Sequence, residues 1–144
     1  MMFSYPIIYD GVDPAYQFPF AKKGPPRPAI KFIVNYQGKS IPIVVQLGDK
    51  GMMVVVKNHP MVEFHKTDNY DKTGYLMGPL RKPKSEEMFK AGEVIPPELQ
   101  GFNIVYQKDY RRKSPDRLGV LVKSSDIDTM INYALTRAIL ESKI

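Results

Sequence analysis

Six of the 13 prolines and six of the 16 aromatic residues fall within the first 28 positions. The prolines are Pro6, Pro14, Pro19, Pro25, Pro26 and Pro28. Each fixes φ and lacks a backbone N–H, which rules out a helix or a central strand and favours an extended, polyproline-like path. Segments that stay disordered are poor in aromatic residues. This arm carries Phe3, Tyr5, Tyr9, Tyr16, Phe18 and Phe20. A stretch of this kind cannot build a core of its own, so it is expected to lie extended on protein, either its own domain or a neighbour. The six rings are its candidate docking residues.

Residues 29–144 suit a single domain large enough to bury one core. Stability has to come from packing, because the absence of cysteine excludes disulfides, a zinc knuckle and a thiol nucleophile. No stretch of 18 apolar residues marks a membrane helix. The opening Met1-Met2-Phe3-Ser4-Tyr5-Pro6 lacks the basic and apolar regions of a secretory signal. The expected location is therefore the cytoplasm or a virion assembled there. The net charge of +6 is carried by residues 1–117, and the stretch from Leu118 onward is balanced. A modest positive field suits a polyanionic partner and also keeps a small protein soluble.

Alternation with period two predicts a run of strands. From Ala29 to Tyr36, Ile30, Phe32, Val34 and Tyr36 share one face and Lys31, Ile33 and Asn35 the other. Gln37-Gly38-Lys39-Ser40 supplies a turn into Ile41 to Leu47, with Pro42 near the strand start, where a missing donor is tolerated. Gly48-Asp49-Lys50-Gly51 turns the chain into Met52 to Lys57. Asn58-His59-Pro60 reads as an interruption before a fourth strand, Met61 to Lys66. Asn103 to Lys108 and Leu118 to Lys123 read as two further strands joined by the basic link Asp109 to Arg117.

Residues 67–101 form a long excursion broken by Gly74, Gly78, Pro79, Pro83, Gly92, Pro96, Pro97 and Gly101, with only Ser85 to Ala91 free enough for a short helical turn. Loops of this length are usually functional or else disordered, and here Tyr70, Tyr75, Leu76, Met77 and Leu80 give it apolar anchors for docking. The last element is an amphipathic helix from about Ser125 to Ser142. Ile127, Met130, Ile131, Ala134, Leu135, Ala138 and Ile139 form its stripe. Ser124 or Ser125 is placed to cap it, and Asp126 and Asp128 favour its positive end. The opposite side, with Asn132, Thr136, Arg137, Glu141 and Lys143, is expected to face solvent.

Enzyme chemistry finds little to work with. The two histidines, His59 and His65, are separated by a proline and make a poor metal site, and Glu63 with His65, a pair that could polarise a water, reads rather as an exposed ion pair on an edge strand. No nucleophile-elbow, zinc-protease or phosphate-loop motif occurs. No catalytic residue, metal or cofactor is expected.

The segment from Tyr106 to Arg117 holds five basic and two acidic side chains with interleaved tyrosines. Lys108, Tyr110, Arg111, Arg112, Lys113 and Arg117 are its candidate nucleic-acid-binding residues. Cations neutralise phosphates, and a tyrosine ring stacks on an unpaired base for about 1–3 kcal/mol. A solvated loop between two strands is the competing reading. Changing Arg111, Arg112 and Lys113 together to alanine is expected to weaken binding to single-stranded DNA or RNA. It should also lower the log–log salt slope by about 0.7 for each phosphate no longer neutralised. An anisotropy titration across salt concentrations checks this, and an unchanged slope returns the segment to the loop reading.

The sequence thus predicts an α+β fold: an antiparallel sheet of four to six strands, one C-terminal helix packed on it, and an extended arm over residues 1–28. The order of elements, a strand meander, a glycine-valine strand and a capped amphipathic helix, is similar in layout to that of the single-strand-binding transcriptional coactivators, with no motif shared. Two functions are expected to compete. One is a non-enzymatic structural protein of a virion or large nucleoprotein, docking other protein subunits, its own copies included. The other is an accessory factor binding single-stranded DNA or RNA.

Overall fold

Strand propensity and short turns dominate the chain, and the computed structural model, which describes residues 5–18, 25–67, 74–85, 87–107 and 117–144, shows how far they extend. In chain order the strands are β1 (Ile7–Tyr16), β2 (Arg27–Tyr36), β3 (Lys39–Gly48), β4 (Gly51–Val56), β5 (His59–Lys66), β6 (Tyr75–Pro79), β7 (Ile104–Gln107) and β8 (Arg117–Lys123). A 3-10 turn spans Pro97–Leu99, and the helix α1 spans Ile127–Leu140. All strands join one antiparallel sheet in the order β1-β2-β3-β4-β5-β6-β8-β7.

The α+β class stands, but the sheet has eight strands where four to six were expected. The two unforeseen strands lie in the stretches richest in breakers. β1 runs through the arm because Ile7 to Asp13 is free of proline and Pro14 falls at a register irregularity. An outermost strand also needs donors on only one side. β6 uses five residues of the excursion and ends on Gly78-Pro79. The short helical turn expected within Ser85 to Ala91 is absent among the described residues; a single bridge from Arg81 to Met88 closes the excursion on itself, and one from Lys90 to Arg117 ties it to the sheet. Nor does Asn58-His59-Pro60 interrupt the meander. Lys57 and Asn58 take left-handed φ values of 49° and 65°, as do Gln37 and Gly38 at 48° and 75° in the β2–β3 turn. Such turns match the twist of a hairpin. His59 and Pro60 therefore open β5, and a register shift opposite Val54 and Val55 accommodates them.

Cross-strand partners assign the two faces. Val34, Ile41, Ile43, Val45, Val54, Val56, Val62 and Phe64 point to one face and meet Met130, Ile131, Tyr133, Ala134 and Leu135 of α1 in one core cluster. The helix packs on β4, β5 and β8 and on the 3-10 turn. Its N-cap is Asp126, not a serine. The Asp126 carboxylate accepts from the Thr129 N–H at 3.1 Å and from the Thr129 hydroxyl at 2.7 Å, two bonds that one serine oxygen at either neighbouring position does not offer.

The expected solvent side of α1 is a second correction. Asn132, Thr136 and Arg137 are buried, Glu141 is partly buried, and of the named group only Lys143 is exposed. The excursion folds back so that Leu80, Phe89, Leu99 and Phe102 join the core, placing the helix between sheet and excursion. Its polar groups then need internal partners. Thr136 Oγ1 donates to the Asn132 carbonyl at 2.7 Å, and Arg137 donates to the Met61 carbonyl at 2.8 Å and pairs with Glu141 at 3.1 Å. Tyr133 donates to the Pro79 carbonyl at 2.7 Å while its ring meets Phe64 and Phe102 edge-on. Burial pushes its phenol above the usual tyrosine range.

Candidate docking edges and open sheet face

A sheet with a helix on one side presents a second face, and among the described residues both helical segments lie on the first side. The second face carries Ile33, Pro42, Val44, Met53, Val55, Met77 and Leu121, by their register across β2, β3, β4, β6 and β8. Ala29, Val55 and Met77 are buried yet stand outside the core cluster, consistent with close packing on this opposite face. Charged groups stand among them. Lys31 is 4.0 Å from Asp10, and Lys123 lies 5.8 Å from the centre of the Tyr75 ring. His65 Nε2 is 3.7 Å from Glu63 Oε2 with both side chains about half exposed, so this pair is a solvated contact on an interior strand. Met61 does not share their face as strict alternation would have it, because the β4–β5 register shift intervenes and Met61 is buried.

The two lateral edges of the sheet are β1 and β7. Ile8, Tyr9 and Val12 of β1 are 48, 63 and 58 % exposed, and Tyr106 of β7 is 59 % exposed. Val94 in the excursion is the other large apolar side chain left in solvent among the described residues. β1 is irregular beyond Tyr9. Its register with β2 shifts between Tyr9 and Val12 and again between Asp13 and Tyr16, and Asp10, Gly11 and Pro14 sit in that half. Shifts, charges and proline are devices that keep an edge from pairing indiscriminately. β7 has none of them: Ile104-Val105-Tyr106-Gln107 is uncharged and in even register with β8.

The arm rings fall into three groups. Tyr5 packs edge-on to Tyr36 at 5.3 Å, and burial followed by the Tyr36 phenol raises its pKa. Tyr16 and Phe18 are half-buried; burial, then the nearby Asp13 carboxylate, raises the Tyr16 pKa, and its backbone carbonyl accepts from Gln46 Nε2 at 3.5 Å. Tyr9 meets Phe32 at 6.1 Å but remains mostly in solvent. Phe3 and Phe20 lie outside the described residues, as do Lys108, Tyr110, Arg111, Arg112 and Lys113. Arg117 is the first residue of β8, half-buried, opposite Gln107 and bridged to Lys90.

Two open depressions lie on the surface of the described residues. One, of about 310 Å³, lies at the β3–β4 turn beside Arg27, Asp49, Lys50 and Glu63, with Arg27 and Asp49 paired at 3.4 Å. The other, of about 510 Å³, is lined by Phe89, Val94, Ile95 and Pro96 of the excursion and bordered by Lys82. Hydrogen bonding to Glu93 holds Lys82 above the usual lysine range, and Glu87 lies 3.6 Å away. Among the described residues no three histidine, aspartate or glutamate side chains converge as a metal site would require, and no helix is long and apolar enough to cross a membrane. The edges escape a reading of the sequence because exposure belongs to the folded sheet. The available signal was the uncharged, proline-free run Ile104 to Gln107. Comparison with family models, curated proteins and solved structures finds no match.

Proposed function

We propose that this chain is a non-enzymatic assembly protein, a structural subunit of a virion or other large nucleoprotein particle, that docks other protein subunits through its arm and excursion. The observation that carries this reading is the concentration of exposed apolar side chains on the arm strand: Ile8, Tyr9 and Val12 all belong to the outermost strand of the sheet, Ile8 on its open face and Tyr9 and Val12 on the other. Scattered single apolar residues need no explanation, whereas a contiguous group on an open edge marks an interaction site. The half-buried apolar side chains of the open sheet face extend that surface.

Removing residues 1–28 tests the reading. All buried members of the core cluster lie at Val34 or beyond, with Tyr5 and Ile7 only partly buried against it, so the truncated chain is expected to fold. Each docked arm side chain is worth about 1.5–3 kcal/mol in an interface, and losing several should abolish assembly. Sedimentation of both forms across concentration, with circular dichroism for folding, decides. A full-length chain that stays monomeric throughout, or a truncated chain that assembles as well as the parent, sinks the proposal.

The second reading, binding of single-stranded nucleic acid, draws on Arg117 at the start of β8 and on Lys123 beside the Tyr75 ring. The open face between them is otherwise chiefly apolar, which suits protein better than a phosphate backbone. The salt titration of the parent chain against the Arg111, Arg112 and Lys113 triple variant decides that reading.

A further inference from the structure

We propose that the edge strand β1 of one copy pairs with the edge strand β7 of the next, joining copies head to tail into one continuous antiparallel sheet. This rests on the assembly reading and names its partner as a second copy of this chain. Direction comes first. Eight strands alternate in direction across the sheet, so β1 and β7, at opposite ends of the order, run antiparallel to each other. A second copy placed side by side in the same orientation therefore continues the alternation without a break. Among the described residues, the backbone–backbone hydrogen bonds of β1 and β7 come from their β2 and β8 partners alone, and the side-chain bonds to the β1 backbone fall at Ala15 and Tyr16, which leaves the outer side of Ile7 to Tyr9 open.

Side chains fix the register. Ile7 and Tyr9 share the helix-bearing face, as do Ile104 and Tyr106, while Ile8 and Val105 lie on the open face. Setting Ile8 of one copy opposite Val105 of the next places Ile7 against Tyr106 and Tyr9 against Ile104. Every pair is then apolar with apolar, face by face, as cross-strand pairing favours. The next pair is Asp10 opposite the uncharged Asn103. Pairing β1 with β1 along its full length, about Gly11 and Val12, sets Asp10 against Asp13 of the other copy, a like-charge contact that disfavours it. It also leaves both β7 edges open, whereas the head-to-tail joint uses both kinds of edge. Such a heterologous contact generates a ring if its rotation closes and a filament if it does not.

The chain has no cysteine, so single introduced thiols report contacts without background. Ile8→Cys and Val105→Cys are made as separate full-length chains, checked by circular dichroism, and oxidised alone and as an equimolar mixture at a concentration where the parent assembles. A cross-linked dimer is expected in the mixture at ten times or more its yield in either variant alone. Cross-linking of Ile8→Cys by itself signals β1–β1 pairing; it overturns the head-to-tail joint and leaves arm-mediated assembly standing. Val105→Cys cross-linking by itself, or no cross-link in a mixture that sedimentation shows to be assembled, also overturns the joint. A parent chain that is monomeric at every concentration overturns both the joint and the assembly reading.

Discussion

Replacing Arg137 with alanine is expected to cost about 3–5 kcal/mol, the range for removing one partner of a buried charged pair. The side chain is 5 % exposed and spans two elements that sequence leaves far apart. One nitrogen donates to the Met61 carbonyl, beside the β4–β5 register shift, and another pairs with Glu141 at the C-terminal end of α1. Its removal strands a carboxylate that is only 13 % exposed and takes away the guanidinium's hydrogen bond to a β5 carbonyl. Arg137→Met, which keeps an apolar stem, separates packing from charge. When Arg137→Met is combined with Glu141→Leu, much of the stability should return, because no unpaired charge remains. Urea unfolding of the parent, of Arg137→Ala, Arg137→Met and Glu141→Leu, and of the double variant measures the cost and the cycle. A cost below about 1 kcal/mol for Arg137→Ala would show that water reaches this pair and that α1 is not enclosed.

That enclosure marks where sequence reading stopped. The stripe Ile127, Met130, Ile131, Ala134, Leu135 and Ala138 could be read from helical spacing because a sheet covers it. Nothing periodic announces that Leu99 and Phe102, some thirty residues upstream and amid prolines and glycines, reach the same helix. Asn132, Thr136 and Arg137 thus read as solvent-facing on local evidence and are buried by a non-local contact. The meander β2 to β4 was legible for the converse reason: each strand alternates on its own, and tight turns hold neighbours in register.

The arm was half legible. Its prolines excluded a central strand, and β1 is an edge strand. Its pairing to β2 was not foreseen, since a proline count says nothing about the unbroken stretch Ile7 to Asp13 between two of them. The candidate site divides in the same way. Tyr5 and Tyr9 could be named from composition, but Tyr106 and Ile8 became candidates only when the strand order put β7 and β1 at the two edges. The basic segment had the clearest functional composition in the chain, and of its six named residues the structure describes Arg117.

Phe64→Ala is expected to cost about 3–5 kcal/mol, as for other fully enclosed aromatic rings. Phe64 lies on the helix-bearing face of β5, with its ring edge-on to Tyr133 at 6.0 Å and wholly removed from solvent. Gly78 on β6 makes room for it. A Cβ at position 78 would stand 2.7 and 2.9 Å from two Phe64 ring carbons and 3.2 Å from a Val62 methyl. Gly78→Ala alone should therefore overpack the site and cost about 1–3 kcal/mol. With the ring gone, most of that conflict disappears and the new methyl partly fills the cavity. Gly78→Ala added to Phe64→Ala should thus be nearly neutral, giving a coupling that nearly equals the Gly78→Ala cost itself. Urea unfolding of the two single variants and the double variant measures it. Additive costs would mean that the glycine serves the β6 backbone rather than the Phe64 ring, and the close approach of β6 to β5 would need another cause.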